Sequence, residues 1–106
     1  MIKLACQLND ILPGTGVCAL IEGRQIALFR PSDAAEVFAI DNRDPFFAAN
    51  VLSRGIICEH DGALWVASPL KKQHFRLSDG HCLENAAMSI AAYAVEVRDQ
   101  QVWVAV

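Results

Sequence analysis

Apolar and polar positions alternate over short segments along most of the chain, which is the pattern of half-buried β-strands. Asp61-Gly62 separates two such segments, 56–60 and 63–67, and this dipeptide favours a type I′ hairpin because both central residues accept positive φ. The other predicted hairpins join 17–22 to 25–30 around Gly23-Arg24, 75–77 to 81–83 around 78–80, and 93–98 to 101–106 around Asp99-Gln100. Turns that recur at roughly 8–12 residues predict an all-β sandwich or barrel.

Two segments, 42–54 and 68–74, lack the alternating strand pattern. Single helical turns are predicted at 32–36 and within 44–52, and Asp41 is expected to turn or cap the chain through its side chain. Loops of this kind, held on a rigid β scaffold, often carry function. We therefore expect the functional surface to lie where these two segments meet.

The length of 106 residues predicts one domain, 1–106, with a radius of gyration of about 13 Å. The net charge is −3, and no basic stripe is present to neutralise a phosphate backbone, which argues against nucleic acid as a partner. No apolar run approaches the roughly 18 residues of a membrane span. Asn9, Asp10 and Pro13 interrupt the segment in which a signal peptide would be apolar. We expect a cytoplasmic protein without membrane contact.

The cysteines and histidines do not have the spacing of a metal site. Cys58 and His60 would share one face of a strand, but no second pair of ligands follows them, and the adjacent His81 and Cys82 would point to opposite faces. No nucleophile motif or glycine-rich phosphate loop is present. The sequence predicts no metal site, no catalytic residue and no bound cofactor, and it predicts that the four cysteines are buried packing thiols: Cys6, Cys18, Cys58 and Cys82.

The two segments without strand pattern resemble the two cluster-binding loops of Rieske-type ferredoxin domains. The first is AIDNRDPF at 39–46, the second is SPLKKQHF at 68–75, and LSDGHCL at 77–83 is similar to the hairpin that follows in that family. The resemblance extends from about residue 3 to residue 104. It implies a Rieske-like fold, a small sandwich or barrel of about nine or ten strands.

The residues at the cluster positions depart from that family. A Rieske cluster takes two thiolates and two imidazoles, but the matching positions here are Asp44, Phe46, Ser68 and Lys71, and His74 lies three residues past the ligand position. The resemblance therefore implies the fold without the iron–sulfur cluster.

The resemblance places Asp44 and Lys71 at opposed cluster positions, so we expect an ion pair between them across the loop tips. Such a pair contributes about 0–1 kcal/mol if it is exposed, far less than metal bonds. Segments 42–54 and 68–76 are therefore expected to move more than the β core and to become ordered on a partner.

DNRDPFFAANVLSRGI at 41–56 and VASPLKKQHFRLSDG at 66–80 are similar to the small subunits of cytoplasmic NAD(P)H-dependent nitrite reductases. That resemblance implies a non-catalytic subunit of an oxidoreductase. Its partner would be a large subunit that carries FAD, sirohaem and a [4Fe–4S] cluster and reduces nitrite to ammonium. The predicted docking residues are Arg43, Asp44, Phe46, Phe47, Lys71, Lys72 and His74.

Two alternatives remain open from the sequence. One is a ferredoxin-like electron carrier with a relocated cluster that uses Cys58 and His60. The other is a cofactor-free regulatory module that binds an unrelated partner, since a fold alone does not define a function.

Overall fold

The computed structural model describes residues 1–106 and contains twelve β-strands, where the sequence predicted about nine or ten. The radius of gyration is 12.6 Å, close to the expected value. Its only helices are three-residue 3₁₀ turns, and none could cross a membrane. The strands are β1 (Ile2–Gln7), β2 (Thr15–Ile21), β3 (Arg24–Arg30), β4 (Phe38–Asp41), β5 (Arg43–Asp44), β6 (Ala49–Asn50), β7 (Ile56–His60), β8 (Ala63–Ala67), β9 (His74–Arg76), β10 (Ala92–Tyr93), β11 (Val95–Arg98) and β12 (Gln101–Ala105).

The strands form four antiparallel sheets, in the orders β1-β12-β11, β10-β4-β3-β2, β5-β6 and β7-β8-β9. Strand β3 contributes side chains to two cores, one on each face of its sheet, because successive side chains point to opposite sides. Its Ile26 and Leu28 belong to one core, which β1 and β12 help to cover, and its Ala27 and Phe29 belong to a second. The second core also contains Val66 of β8, so it joins the central sheet to β7-β8-β9.

Two predicted hairpins are confirmed with their turns. Asp61-Gly62 joins β7 to β8 with φ values of 50° and 77°, and Asp99-Gln100 joins β11 to β12 with φ values of 51° and 65°. The hairpin predicted around 78–80 is reduced to β9 and one isolated bridge between Phe75 and Cys82.

The first hairpin is one residue out of the predicted position. The residues of positive φ are Glu22 and Gly23, not Gly23 and Arg24, because Arg24 already pairs with Ile21 in the ladder between β2 and β3.

The helical turn predicted at 32–36 is absent, and an irregular loop takes its place. The largely buried guanidinium of Arg30 donates to the backbone oxygens of Ile11, Asp33 and Ala34 at 2.8–3.3 Å. These bonds hold the irregular loop beside the end of β3.

The segment 44–52 is also not helical, because it forms the small β5-β6 hairpin and leads into a 3₁₀ turn at Leu52–Arg54. Asp41 does not cap a local turn. Its carboxylate accepts a hydrogen bond from the Tyr93 hydroxyl at 2.6 Å, and so joins β4 to β10.

Candidate functional site

The first loop, 42–54, is built around a buried aspartate. Asp44 is 0% exposed; its Oδ1 accepts from the backbone N–H of Phe46 at 2.8 Å and its Oδ2 accepts from the Ser68 hydroxyl at 2.6 Å. The bond to Phe46 spans two residues and shapes the four-residue turn 45–48, as Asx side chains do. The bond to Ser68 connects the first loop to the second.

The second loop, 68–74, is closed at its base by Ser68. The backbone N–H of Ser68 donates to the oxygen of Gln73 at 2.8 Å, and its hydroxyl oxygen accepts from the N–H of Leu70 at 3.1 Å. The tip is formed by exposed Lys71 and Lys72, which have φ values of 55° and 60°. Consecutive left-handed residues that are not glycine are costly, so the loop holds these two lysines at the expense of stability.

The predicted ion pair between Asp44 and Lys71 is wrong. Asp44 is fully buried, Lys71 is exposed, and Lys71 takes part in none of the ion pairs of the protein. A buried carboxylate needs hydrogen-bond donors that are buried with it, and Ser68 supplies one. Asp44 and Ser68 therefore connect the two loops by a hydrogen bond.

Asn42 anchors the first loop, and the sequence analysis did not single it out. Its side chain is almost fully buried and donates to the amide oxygen of Gln25 and the sulfur of Cys18, both at 3.3 Å. Its Oδ1 accepts from the N–H of Ser53 at 2.7 Å, and its backbone oxygen accepts from Leu52 at 3.0 Å. The sequence signal that could have identified Asn42 is its position, a polar residue directly after strand β4.

The two phenylalanines of the first loop have different environments. Phe46 is half-buried and packs on Phe75 of β9, with ring centroids 6.4 Å apart, so it extends the second core. Phe47 is 43% exposed at the turn. Phe46 therefore supports the loop from inside, whereas Phe47 is available to a partner.

His74 is half-buried and is held by Glu84. The backbone N–H of His74 donates to Glu84 Oε1 at 2.7 Å, and its Nδ1 lies 2.6 Å from Glu84 Oε2. Burial favours the protonated form of Glu84, but these bonds outweigh it and lower the pKa of the carboxyl group below its ordinary value.

The structure brings together no group of three or more His, Cys, Asp or Glu side chains that could hold a metal ion. Burial raises the pKa of the Cys58 thiol, which disfavours the thiolate that a metal or a nucleophilic reaction needs.

All four cysteines are free. Cys82 is buried in the second core, as expected of a packing thiol. Cys18 is exposed, so that expectation is wrong for Cys18.

Of the seven predicted docking residues, four are exposed: Arg43, Phe47, Lys71 and Lys72. Phe46 and His74 are half-buried, and each has a partner inside the protein. Asp44 lies wholly inside, so its inclusion in a contact surface is corrected.

The residues that the resemblance places at the four cluster positions do not fit a [2Fe–2S] group, because none is a thiolate or an imidazole and two of them, Asp44 and Ser68, are hydrogen-bonded to each other. The fold is nevertheless that of a Rieske-like domain. A model of the Rieske-like [2Fe-2S] domain family matches residues 3–105.

The nitrite reductase (NADH) small subunit of Salmonella typhimurium is 63% identical over 94 residues, which are 89% of this chain and 87% of that protein. The NMR structure of the Escherichia coli protein NirD matches with a TM-score of 0.90 at 55% identity, over 98% of this chain and 96% of that chain. The chain thus belongs to the family of nitrite reductase (NADH) small subunits.

A further relative is a much longer protein. The nitrite reductase [NAD(P)H] large subunit of Klebsiella oxytoca is 42% identical over 99 residues, which are 93% of this chain and 10% of that protein. A domain of this family is therefore also found as one segment of a large-subunit chain.

Proposed function

We propose that this chain is the non-catalytic small subunit of a cytoplasmic NAD(P)H-dependent nitrite reductase. It assembles with a large subunit that carries the flavin, sirohaem and [4Fe–4S] chemistry and reduces nitrite to ammonium. Its own role is to complete or stabilise that assembly. The four free cysteines accord with a reducing compartment.

One observation carries this proposal. The Klebsiella oxytoca protein that is named a large subunit contains a segment that matches nearly the whole of this chain. Two units that share one polypeptide in one organism are held there at a high effective concentration of each other. Where they are separate polypeptides, a binding surface has to replace the covalent link.

The residues of the two loops support a role in binding and not in electron transfer. Phe46 has no ligand atom, and Asp44 and Ser68 satisfy each other inside the protein. No electron-transfer step is therefore assigned to these positions.

The exposed residues of the two loops suit a docking surface. Segments 42–54 and 68–74 carry four cationic side chains and one carboxylate, the buried Asp44, whereas the rest of the chain has five cations and eleven carboxylates. Arg43, Phe47, Lys71 and Lys72 place positive charge beside an exposed aromatic ring. Such a surface favours an acidic partner and speeds association at low salt.

The test is reconstitution with the purified large subunit. The complex should elute as one species in gel filtration, and nitrite-dependent NADH oxidation should be higher or longer-lived with the small subunit than without it. Reversing both tip charges, with Lys71→Glu and Lys72→Glu, should weaken assembly while the thermal unfolding curve is kept.

The matched control reverses two cations outside the loops, with Lys3→Glu and Arg98→Glu, and has the same change in net charge. Assembly of this control should be close to that of the wild type. If the wild-type chain and the large subunit do not associate at micromolar concentration, the proposed function is wrong.

A further inference from the structure

A groove of about 370 Å³ lies beside the second loop, on the face of the sheet β7-β8-β9 that points away from the core. Ile56, Ala67 and His74 form one row across its three strands, because Ile56 pairs with Ala67 and Ala67 pairs with His74. The neighbouring Val66 and Phe75 point to the opposite face, where both are fully buried. The groove therefore lies on the outer surface.

The floor of the groove is apolar and open. Ile56 is 72% exposed, and Ala67 leaves a recess next to it. Gly55 borders the recess, and a Cβ at this position would collide with the backbone oxygen of Ala67. It would also meet the inward-pointing side chain of Val66 at 2.6 Å, so glycine at residue 55 lets the chain pass close to β8.

The rim of the groove is basic. Arg54 and Lys72 line it, and neither forms an ion pair within the protein. The third basic residue, His74, is already paired with Glu84, and no carboxylate lines the groove. Two uncompensated cations thus flank the apolar side chains of Ile56 and Ala67 in a chain whose net charge is −3.

The apolar floor and the basic rim together indicate what kind of segment can bind in the groove. A purely apolar segment would cover Arg54 and Lys72 without pairing them, which is unfavourable. A polyphosphate would pair with the cations but would leave Ile56 in water. A segment with an aliphatic or aromatic side chain next to one or two carboxylates satisfies both parts of the groove.

We propose that this groove binds an acidic segment of the nitrite reductase large subunit, with an apolar side chain packed on Ile56 and Ala67 and a carboxylate beside Lys72 and Arg54. This inference rests on the proposed function. It extends the predicted docking surface, which already included Lys72 and His74, to Arg54, Ile56 and Ala67 beside them.

The test measures binding of the purified large subunit by isothermal titration calorimetry. Ile56→Glu should raise the Kd at least tenfold, because it removes the apolar contact and adds a negative charge. The matched control is Leu20→Glu, since Leu20 is also an aliphatic strand residue and is 73% exposed, but lies on β2 outside the groove. That control should stay within twofold of the wild-type Kd.

A second pair of variants tests the charge. Arg54→Glu should raise the Kd about three- to tenfold and flatten its dependence on salt, because screened opposite charges are then lost, and Arg54 lines the groove but is not one of the docking residues predicted for the loops. Lys3→Glu should change neither. Circular dichroism melts identify any variant that has lost its fold, and Arg54→Glu keeps the test open if Ile56→Glu fails to fold.

The failures of the two proposals are distinguishable. If wild type binds and both groove variants bind equally well, the groove is not the contact and the proposed function stands. If Leu20→Glu weakens binding as much as Ile56→Glu, the contact lies elsewhere. If wild type itself does not bind, the proposed function fails and the groove proposal fails with it.

Discussion

Removing the Ser68 hydroxyl should destabilise the protein by a large amount, although only one oxygen atom is lost. In Ser68→Ala the Oδ2 atom of Asp44 loses its donor at 2.6 Å, and the N–H of Leu70 loses its acceptor at 3.1 Å. Asp44 is 0% exposed and Ser68 is 1% exposed, so water does not replace these bonds without rearrangement. The carboxylate keeps only the bond from the N–H of Phe46.

The magnitude follows from the charge and the burial. A hydrogen bond to a charged group contributes about 1.5–3 kcal/mol, and a buried acceptor without a donor costs more than the bond itself. We expect the free energy of unfolding to fall by about 2–4 kcal/mol. For a domain of this size that lowers Tm by roughly 10–20 °C.

The assay is urea denaturation followed by the fluorescence of the two tryptophans and by circular dichroism. The matched control is Ser78→Ala, because Ser78 is exposed and forms no hydrogen bond within the protein, so its loss should stay within about 0.5 kcal/mol. A double-mutant cycle of Ser68→Ala with Asp44→Ala should give a coupling energy of about 1.5–3 kcal/mol. Equal stabilities of Ser68→Ala and Ser78→Ala would refute the claim that this bond connects the loops.

Three further predictions concern the loops and one ion pair. Lys71→Gly with Lys72→Gly should raise the free energy of unfolding by about 0.5–1 kcal/mol in urea titrations, because glycine relieves the left-handed strain at φ 55° and 60°, yet it should weaken assembly. In ¹⁵N relaxation of the free protein, the expected excess mobility should be confined to Phe47 and to the two lysines, because hydrogen bonds restrain the loop bases; uniformly rigid tips would contradict this. The hydrogen bonds from Arg76 lower the pKa of Asp79 to about 2 from 3.8, so Asp79 stabilises the fold above pH 4 and this contribution is lost as the pH falls towards 2. Asp79→Asn should therefore cost about 0–1 kcal/mol at pH 7, since the pair is half-exposed, and nothing below pH 2 in thermal melts.

The sequence was informative where structure is determined locally. The Asp61-Gly62 turn needs two residues of positive φ next to each other, and this requirement is visible in the dipeptide. Strand β1 was not predicted, because its structure depends on pairing with β12 at the other end of the chain. The first hairpin also depends on pairing. Gly23 is compatible with a turn at 22–23 or at 23–24, and the hydrogen-bonded register of β2 and β3 determines which one forms.

The predicted ion pair shows why a resemblance does not place individual loop residues. Asp44 and Lys71 match opposed cluster positions and have opposite charges, but burial determines which groups meet, and a neutral serine is the partner that a buried carboxylate needs here. Nothing in the sequence marks Ser68 as buried, because it lies 24 residues from Asp44 in a polar loop. The groove at Ile56 was equally hidden, since residues from three strands form it.

The absence of a cluster is tested by measuring the iron and acid-labile sulfide content of the anaerobically purified chain together with its visible spectrum. We expect colourless protein without iron or sulfide, because Asp44, Phe46, Ser68 and Lys71 offer no thiolate or imidazole at the predicted cluster positions. About two irons and two sulfides per chain, with absorbance on the order of 400–600 nm, would contradict it. Cys58 and His60 would then be the first residues to replace.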